Sequence, residues 1–91
     1  FSVIDDVIPF NDEQAFRMGR RLAQEEGILG GGTGGANVWG ALQFASKYLP
    51  EHQKNHPGKP LRIATVIPDS GVKYLSKMYN DEWMAKQGYK V

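Results

Sequence analysis

The densest chemical signal in the chain is the run Gly30-Gly31-Gly32-Thr33-Gly34-Gly35-Ala36. Glycine has no Cβ and accepts positive φ, so backbone N–H groups in such a run can come close to an anion or a polar ring, above all where a helix begins just after it. Thr33 is the one side chain there with a directed hydrogen bond to give or take. A loose turn, or close packing of a helix on a strand, would use the same glycines. Pro68-Asp69-Ser70-Gly71 is a second candidate, in which Asp69 and Ser70 either face a site or cap the next helix; a cap with a supporting role at the site is the expectation for these residue types. His52 and His56 have the i, i+4 spacing that lets two imidazoles share a metal on a helix. They follow Pro50 in a polar stretch with Glu51 as the sole carboxylate nearby, so solvated loop histidines and no metal are expected. Asp5 and Asp6, neighbours in an extended segment, point to opposite faces and read as solvated charge.

These groups must be positioned by a small body. The chain has 91 residues, 41% of them hydrophobic, and a net charge of +1, which fits one domain or part of one. Lys and Arg are scattered, Arg20-Arg21 being the one adjacent basic pair, so no nucleic-acid footprint is present. The absence of cysteine removes disulfides, thiolate metal sites and cysteine nucleophiles from these residues, and agrees with a cytoplasmic location. No apolar run approaches the roughly 20 residues of a membrane span, and the opening Phe1-Ser2-Val3-Ile4-Asp5-Asp6 does not read as a signal peptide. A first residue other than Met is expected from processing or from a longer chain.

Helical signals are clearer than strand signals. Asn11 and Gln14 have the spacing of a capping box, Asp12 and Glu13 suit the positive helix end, and Ala15, Phe16, Met18, Leu22 and Ala23 recur at helical spacing. The prediction is a helix from Asp12 to Glu26, closed by Gly27 in the left-handed conformation. A second helix is predicted from about Ala36 to Leu49, with Val38, Ala41, Leu42, Ala45 and Tyr48 on one face, ended by Pro50; residues 50–59 then read as a polar loop. Trp39 and Phe44 on it read as core or interface. Leu61 to Ile67, β-branched and bounded by Pro60 and Pro68, reads as a buried strand, with Ile28-Leu29 and Ser2-Val3-Ile4 as weaker ones. A helical segment with Tyr74, Leu75 and Met78 and a short helix from Asp81 to Lys86 follow. The class is α/β, yet one firm strand cannot make a sheet, so the sheet is expected to be completed by residues outside this chain. Ligands of open α/β sheets sit at the carboxyl ends of strands, so Gly30–Gly35 and Pro68–Gly71 should line one crevice.

Taken in order, Glu25-Glu26-Gly27-Ile28-Leu29, Gly31-Gly32-Thr33-Gly34-Gly35 and the stretch from Val66 through Pro68-Asp69-Ser70-Gly71 to Tyr74-Leu75-Ser76 resemble the C-terminal part of the catalytic domain of pyridoxal-phosphate β-replacement enzymes. This is the cysteine synthase and cystathionine β-synthase family. Asn80-Asp81-Glu82-Trp83-Met84 followed by Gly88-Tyr89 is similar to the cystathionine β-synthase branch. The resemblance covers nearly the whole chain and a minor part of such a domain.

The resemblance implies a three-layer αβα fold of the tryptophan synthase β-subunit-like kind, fold type II, of which residues 1–91 are one segment. It implies pyridoxal phosphate as cofactor. The family also has a Gly-rich phosphate loop, but the flanks of Gly32-Thr33-Gly34-Gly35-Ala36 match the element that meets the pyridine ring. Thr33 stands where Ser is usual and keeps the hydroxyl that bonds the ring nitrogen; Gly31, Gly32 and Gly34 permit the approach, and Pro68 and Asp69 shape the far wall. A neutral hydroxyl leaves the ring nitrogen unprotonated and favours β-elimination over transamination. Serine or an activated serine would lose its β-substituent to give an aminoacrylate, and a thiol would add, most specifically homocysteine to form cystathionine. A cysteine synthase using O-acetylserine and sulfide is the alternative. None of Lys47, Lys54, Lys59, Lys73, Lys77, Lys86 and Lys90 matches the context of the Schiff-base lysine, so that residue and the phosphate loop are expected earlier in the enzyme, and these residues alone should not catalyse. The implied partners are the remainder of the catalytic domain, the substrates and a second copy in a homodimer. A reading of a different class, a non-catalytic phosphate- or nucleotide-binding module, stays open, although the run lacks both a Gly-Lys-Ser/Thr ending and an acidic residue placed for a ribose.

Overall fold

The computed structural model describes residues 3–91. Helix α1 spans Asp12–Glu26, with the predicted bounds and the predicted caps. The Asn11 side chain accepts from the Gln14 N–H at 2.8 Å, and the Gln14 side chain accepts in return from the Asn11 N–H at 2.9 Å. Gly27 closes the helix with φ 69° and bonds back to Ala23 and Leu22. This helix is specified by residues within its own ends.

Helix α2 spans Gly32–Asn55 and overruns its predicted limits in both directions. At the start, Gly31 is the N-cap in an extended conformation and its carbonyl accepts from the Gly35 N–H at 3.1 Å, so the glycine run is the first turn of the helix rather than a loop before it. The reason is packing. α1 and α2 meet so closely that a Cβ on Gly35 would lie 2.1 Å from the Ala15 carbonyl oxygen. At the other end Pro50 lies inside the helix. Proline removes one N–H and crowds the carbonyl four residues back, here Ser46. Both residues are exposed, so water can serve that carbonyl, and the helix resumes to its C-cap, His56.

No strand forms among the described residues, which corrects the predicted strand at Leu61–Ile67 and the one at Ile28-Leu29. A strand needs a paired strand to satisfy its backbone, and among the described residues 61–67 pair with none. They are held instead by the Asn37 amide, which donates to the Val66 carbonyl at 2.8 Å, and Ile63 and Val66 stay exposed. Of the weak strand Ser2-Val3-Ile4, Ser2 lies outside the described residues and Val3 and Ile4 are exposed and irregular. The one sheet-like pairing among the described residues is an antiparallel bridge between Gly30 and Ser70.

After a 3₁₀ turn at Gly71–Tyr74, helix α3 spans Asp81–Lys86 as predicted, with Asn80 capping it through the Trp83 N–H. Trp83 and Met84 anchor α3 on α1 within this chain. Met84 and Met78 are fully enclosed, and Phe16 on α1 takes Trp83 and Tyr89 edge-on, with ring centroids 5.6 and 5.8 Å away. Arg20 clamps the same region from α1, donating to the Met78 carbonyl at 2.9 Å and pairing with Asp81.

Candidate functional site

The two segments expected to line one crevice touch each other, but neither cleft at Thr33 is lined by any of residues 68–71. The Gly71 N–H donates to the Leu29 carbonyl at 2.9 Å, and Gly30 bridges Ser70, so the turn Pro68–Gly71 lies directly against the start of α2. Thr33, in the first turn of α2, is exposed and lines a cleft of about 320 Å³ together with Phe16, Tyr74, Lys77, Met78 and Trp83. A second cleft of about 310 Å³ lies on the α1 side of Thr33, against Phe10, Ala15 and Phe16. Thr33 therefore presents a hydroxyl at the rim of open, mainly apolar space.

The neighbouring glycines are crowded by the chain's own side chains. A Cβ on Gly31 would lie 2.5 Å from Asp69 Oδ1 and 2.7 Å from the Tyr74 ring; on Gly32 it would lie 3.0 Å from the Phe16 ring, and on Gly34 3.0 Å from Ile67. The run is thus used for close packing at these α-carbons, one of the two uses that glycines alone left open.

Asp69 and Ser70 have separate tasks. Ser70 caps the 3₁₀ turn, accepting from the Val72 N–H at 3.3 Å. The Asp69 carboxylate turns instead toward α2: its Oδ2 accepts from the Tyr74 hydroxyl at 2.8 Å, while its Oδ1 is buried and has no hydrogen-bond partner. That bond raises the Tyr74 pKa above its ordinary value, the carboxylate's charge adding to the effect. Tyr79 donates to the Gly30 carbonyl, and burial pushes its phenol pKa up. Pro68 is exposed beside this cluster.

The electrostatics of the α2 start follow from these contacts. Gly31 offers no side-chain cap and the first turn contains no acidic residue, so the positive end of the helix dipole is uncompensated within α2 itself. The Asp69 carboxylate lies beside Gly31, where a Cβ would meet its Oδ1, but it accepts no hydrogen bond from an α2 N–H: Oδ2 takes the Tyr74 hydroxyl and Oδ1 has no partner.

Sequence reasoning took Tyr74 as a helical face residue and missed Tyr79 and Arg20. Tyr79 reaches Gly30 across 49 residues and Arg20 reaches Met78 across 58, and no local pattern marks such contacts. His52 is on α2 and His56 is its C-cap, with rings 5.1 Å apart, and His52 Nε2 bonds the Lys59 carbonyl at 3.0 Å. Among the described residues no group of three His, Cys, Asp or Glu is placed to hold a metal. Asp6 is paired rather than free: its Oδ2 lies 2.9 Å from Lys47 Nζ. No helix among these residues is long and apolar enough to cross a membrane.

No family model matches the chain. Similar proteins are nonetheless found over almost all of it. An N-(2-amino-2-carboxyethyl)-L-glutamate synthase of Ralstonia nicotianae is 40% identical over 83 residues, which are 91% of this chain and 22% of that protein. Cystathionine β-synthase of Dictyostelium discoideum is 36% identical over 87 residues, 96% of this chain and 16% of that protein. Cystathionine β-synthase of Mus musculus is 34% identical over 88 residues, 97% of this chain and 14% of that protein. The relatives are all named synthases. The chain matches a fragment of the cysteine synthase and cystathionine β-synthase family, as its motifs imply. It spans less than a quarter of the length of each of these curated relatives.

Proposed function

We propose that this chain is the part of a pyridoxal-phosphate-dependent β-replacement enzyme that holds the pyridine edge of the cofactor. The observation that carries the reading is the exposed Thr33 hydroxyl at the mouth of a cleft, on a helix start that the Pro68–Gly71 turn fixes in place. The donor set fits the group: a neutral hydroxyl beside apolar Phe16, Met78 and Trp83 suits the nitrogen and face of an aromatic ring. The carboxylate of Asp69 beside Gly31 makes the same helix start a poor phosphate cradle, which weighs against a phosphate- or nucleotide-binding module.

When bound, pyridoxal phosphate supplies an electron sink for loss of a β-substituent from an amino acid. The Thr33 hydroxyl would donate a hydrogen bond to the ring nitrogen and, unlike a carboxylic acid, would leave that nitrogen unprotonated. Gly31, Gly32 and Gly34 let Asp69, Tyr74, Phe16 and Ile67 close around the turn that orients Thr33, and Pro68 and Asp69 form the far wall. The remainder of the catalytic domain contributes the phosphate contacts and the reactive lysine, and residues 61–67 join its sheet in a fold-type II αβα architecture. The enzyme works in the cytoplasm as a homodimer.

The donor is serine or an activated serine. The acceptor is a thiol, most specifically homocysteine, with sulfide as the alternative. The name of the Ralstonia relative also describes an aminocarboxyethyl group joined to nitrogen, which favours glutamate as a further acceptor to assay. The test is the visible absorption of the full-length enzyme carrying these residues, with and without L-serine, followed by turnover with homocysteine, sulfide and glutamate. Thr33→Val is expected to perturb the cofactor spectrum and slow turnover. Wild-type values for both would remove Thr33 from this role, and a full-length protein that takes up no pyridoxal phosphate would overturn the reading.

A further inference from the structure

A loop after Pro50 would let the imidazoles of His52 and His56 part. Instead α2 continues to Asn55, so His52 lies in its last turn and His56 caps it, one turn further along the same face. The two ring centroids are 5.1 Å apart and the ring planes are inclined by 38°. Two imidazoles sharing one tetrahedral metal ion, each nitrogen about 2.0–2.1 Å from it, have their centroids roughly 5 Å apart. The pair already has the separation of a chelate.

His52 is held from two sides. The Tyr48 ring lies one turn before it, with centroids 6.3 Å apart, and its Nε2 meets the Lys59 carbonyl at 3.0 Å. A carbonyl only accepts, so the proton is on Nε2 and the Nδ1 lone pair is left for a ligand bond; metal-binding histidines are commonly fixed by a second group in this way. His56 is exposed, which gives an ion its way in. Among the described residues no third His, Cys, Asp or Glu joins the pair, so water would fill the remaining positions of an open, exchangeable site.

We propose that His52 and His56 chelate a divalent metal ion of the kind imidazole prefers, Zn²⁺, Ni²⁺ or Cu²⁺. The site is separate from the cofactor reading and does not depend on it. Its effect on the fold follows from Pro50. Proline gives α2 no N–H at that point, so the turn after it has one hydrogen bond fewer to the body of the helix. A metal held by both imidazoles spans that turn, and through the Lys59 carbonyl it steadies the residues that follow. An ion bound only by the folded chain also raises its stability.

The test titrates untagged full-length enzyme with Zn²⁺ by calorimetry and reads the melting temperature with and without the ion. His52→Gln and His56→Gln are each expected to bind one Zn²⁺ fewer per chain than wild type and to lose part of the Zn²⁺-dependent rise in melting temperature. A third variant, His56→Gln with Lys54→His, keeps two histidines but sets them two positions apart, on different faces of the helix. It is expected to behave as His56→Gln does. Equal Zn²⁺ binding by wild type and His56→Gln, or full recovery in the third variant, would show that no chelate forms and overturn the inference. Loss of the ion in His52→Gln alone would overturn it too, by assigning the ion to a single imidazole.

Discussion

Helix α1 begins on a capping box written into consecutive residues, Asn11 to Gln14, whereas α2 begins on Gly31, which has no side chain, beneath a carboxylate from a loop far along the sequence. Both starts need their free N–H groups and their positive end compensated. The first does so from its own residues. The second depends on Asp69, Tyr74 and Tyr79 arriving from the other end of the chain, and it leaves Thr33 and open space on its outer side. One start is set by its own sequence and the other by contacts with distant residues, yet both border open space at Thr33.

The sharpest way to break this contrast is to stop α2 from approaching α1. Gly35→Ala places a methyl group 2.1 Å from the Ala15 carbonyl oxygen and 2.9 Å from the Gly19 nitrogen, both backbone atoms of a helix interior that cannot rotate away. The expected loss is about 3 kcal/mol, at the upper end for overpacking, read as a fall in the denaturation midpoint of the full-length enzyme. Loss of cofactor binding should accompany it, because Thr33 moves with the helix start. A variant as stable as wild type would show that the two helices do not meet as described.

Legibility follows the same division. The bounds of α1 and α3, their caps and the left-handed Gly27 were readable because each rests on residues a few positions apart. The proximity of Gly30 to the Pro68–Gly71 turn was expected from strand ends that do not form; the two are joined by a single bridge instead. The start of α2 was not readable, because glycine has poor helix propensity and what makes those glycines helical is contact with Ala15, Phe16 and Ile67. Pro50 misled for the complementary reason: the penalty it imposes falls on an exposed stretch where water relieves it. Residues 61–67 have strand composition, and composition cannot supply the neighbours that a strand needs. Thr33 and Asp69 were named from sequence as candidates, whereas the Asp69–Tyr74 bond has no sequence signature.

A milder substitution sharpens the contrast from the other side. Asn11→Ala removes the acceptor of the α1 capping box and leaves the Gln14 N–H to water. The expected loss is about 1 kcal/mol of stability, again from the denaturation midpoint, with the cofactor spectrum and turnover unchanged. The pairing of results matters more than either magnitude. If Asn11→Ala also disturbed the cofactor, the α1 cap would be coupled to Phe16 and the cleft it lines.

The smallest effect concerns the charges. Glu25 pairs with Arg21 at 2.7 Å within α1, and Asp6 pairs with Lys47 at 2.9 Å between the N-terminal segment and α2, so one pair is local and the other joins distant residues. The hydrogen bond from Lys47 is the main cause that lowers the Asp6 pKa, followed by the Val7 N–H and the Lys47 charge; for Glu25 it is the hydrogen bond from Arg21. Each carboxylate is lowered in the folded state, so each stabilises the fold above the ordinary carboxylate range and loses that contribution as pH falls through its lowered value. Both pairs are exposed, so the effect is small and is screened by salt. Lys47→Met should return the Asp6 titration, followed by carboxyl NMR, most of the way toward the ordinary range and leave Glu25 unmoved. Arg21→Met should do the reverse. An Asp6 titration unmoved by Lys47→Met would show that the Val7 N–H alone holds its charge, and with it that the N-terminal segment is not tied to α2 through this pair.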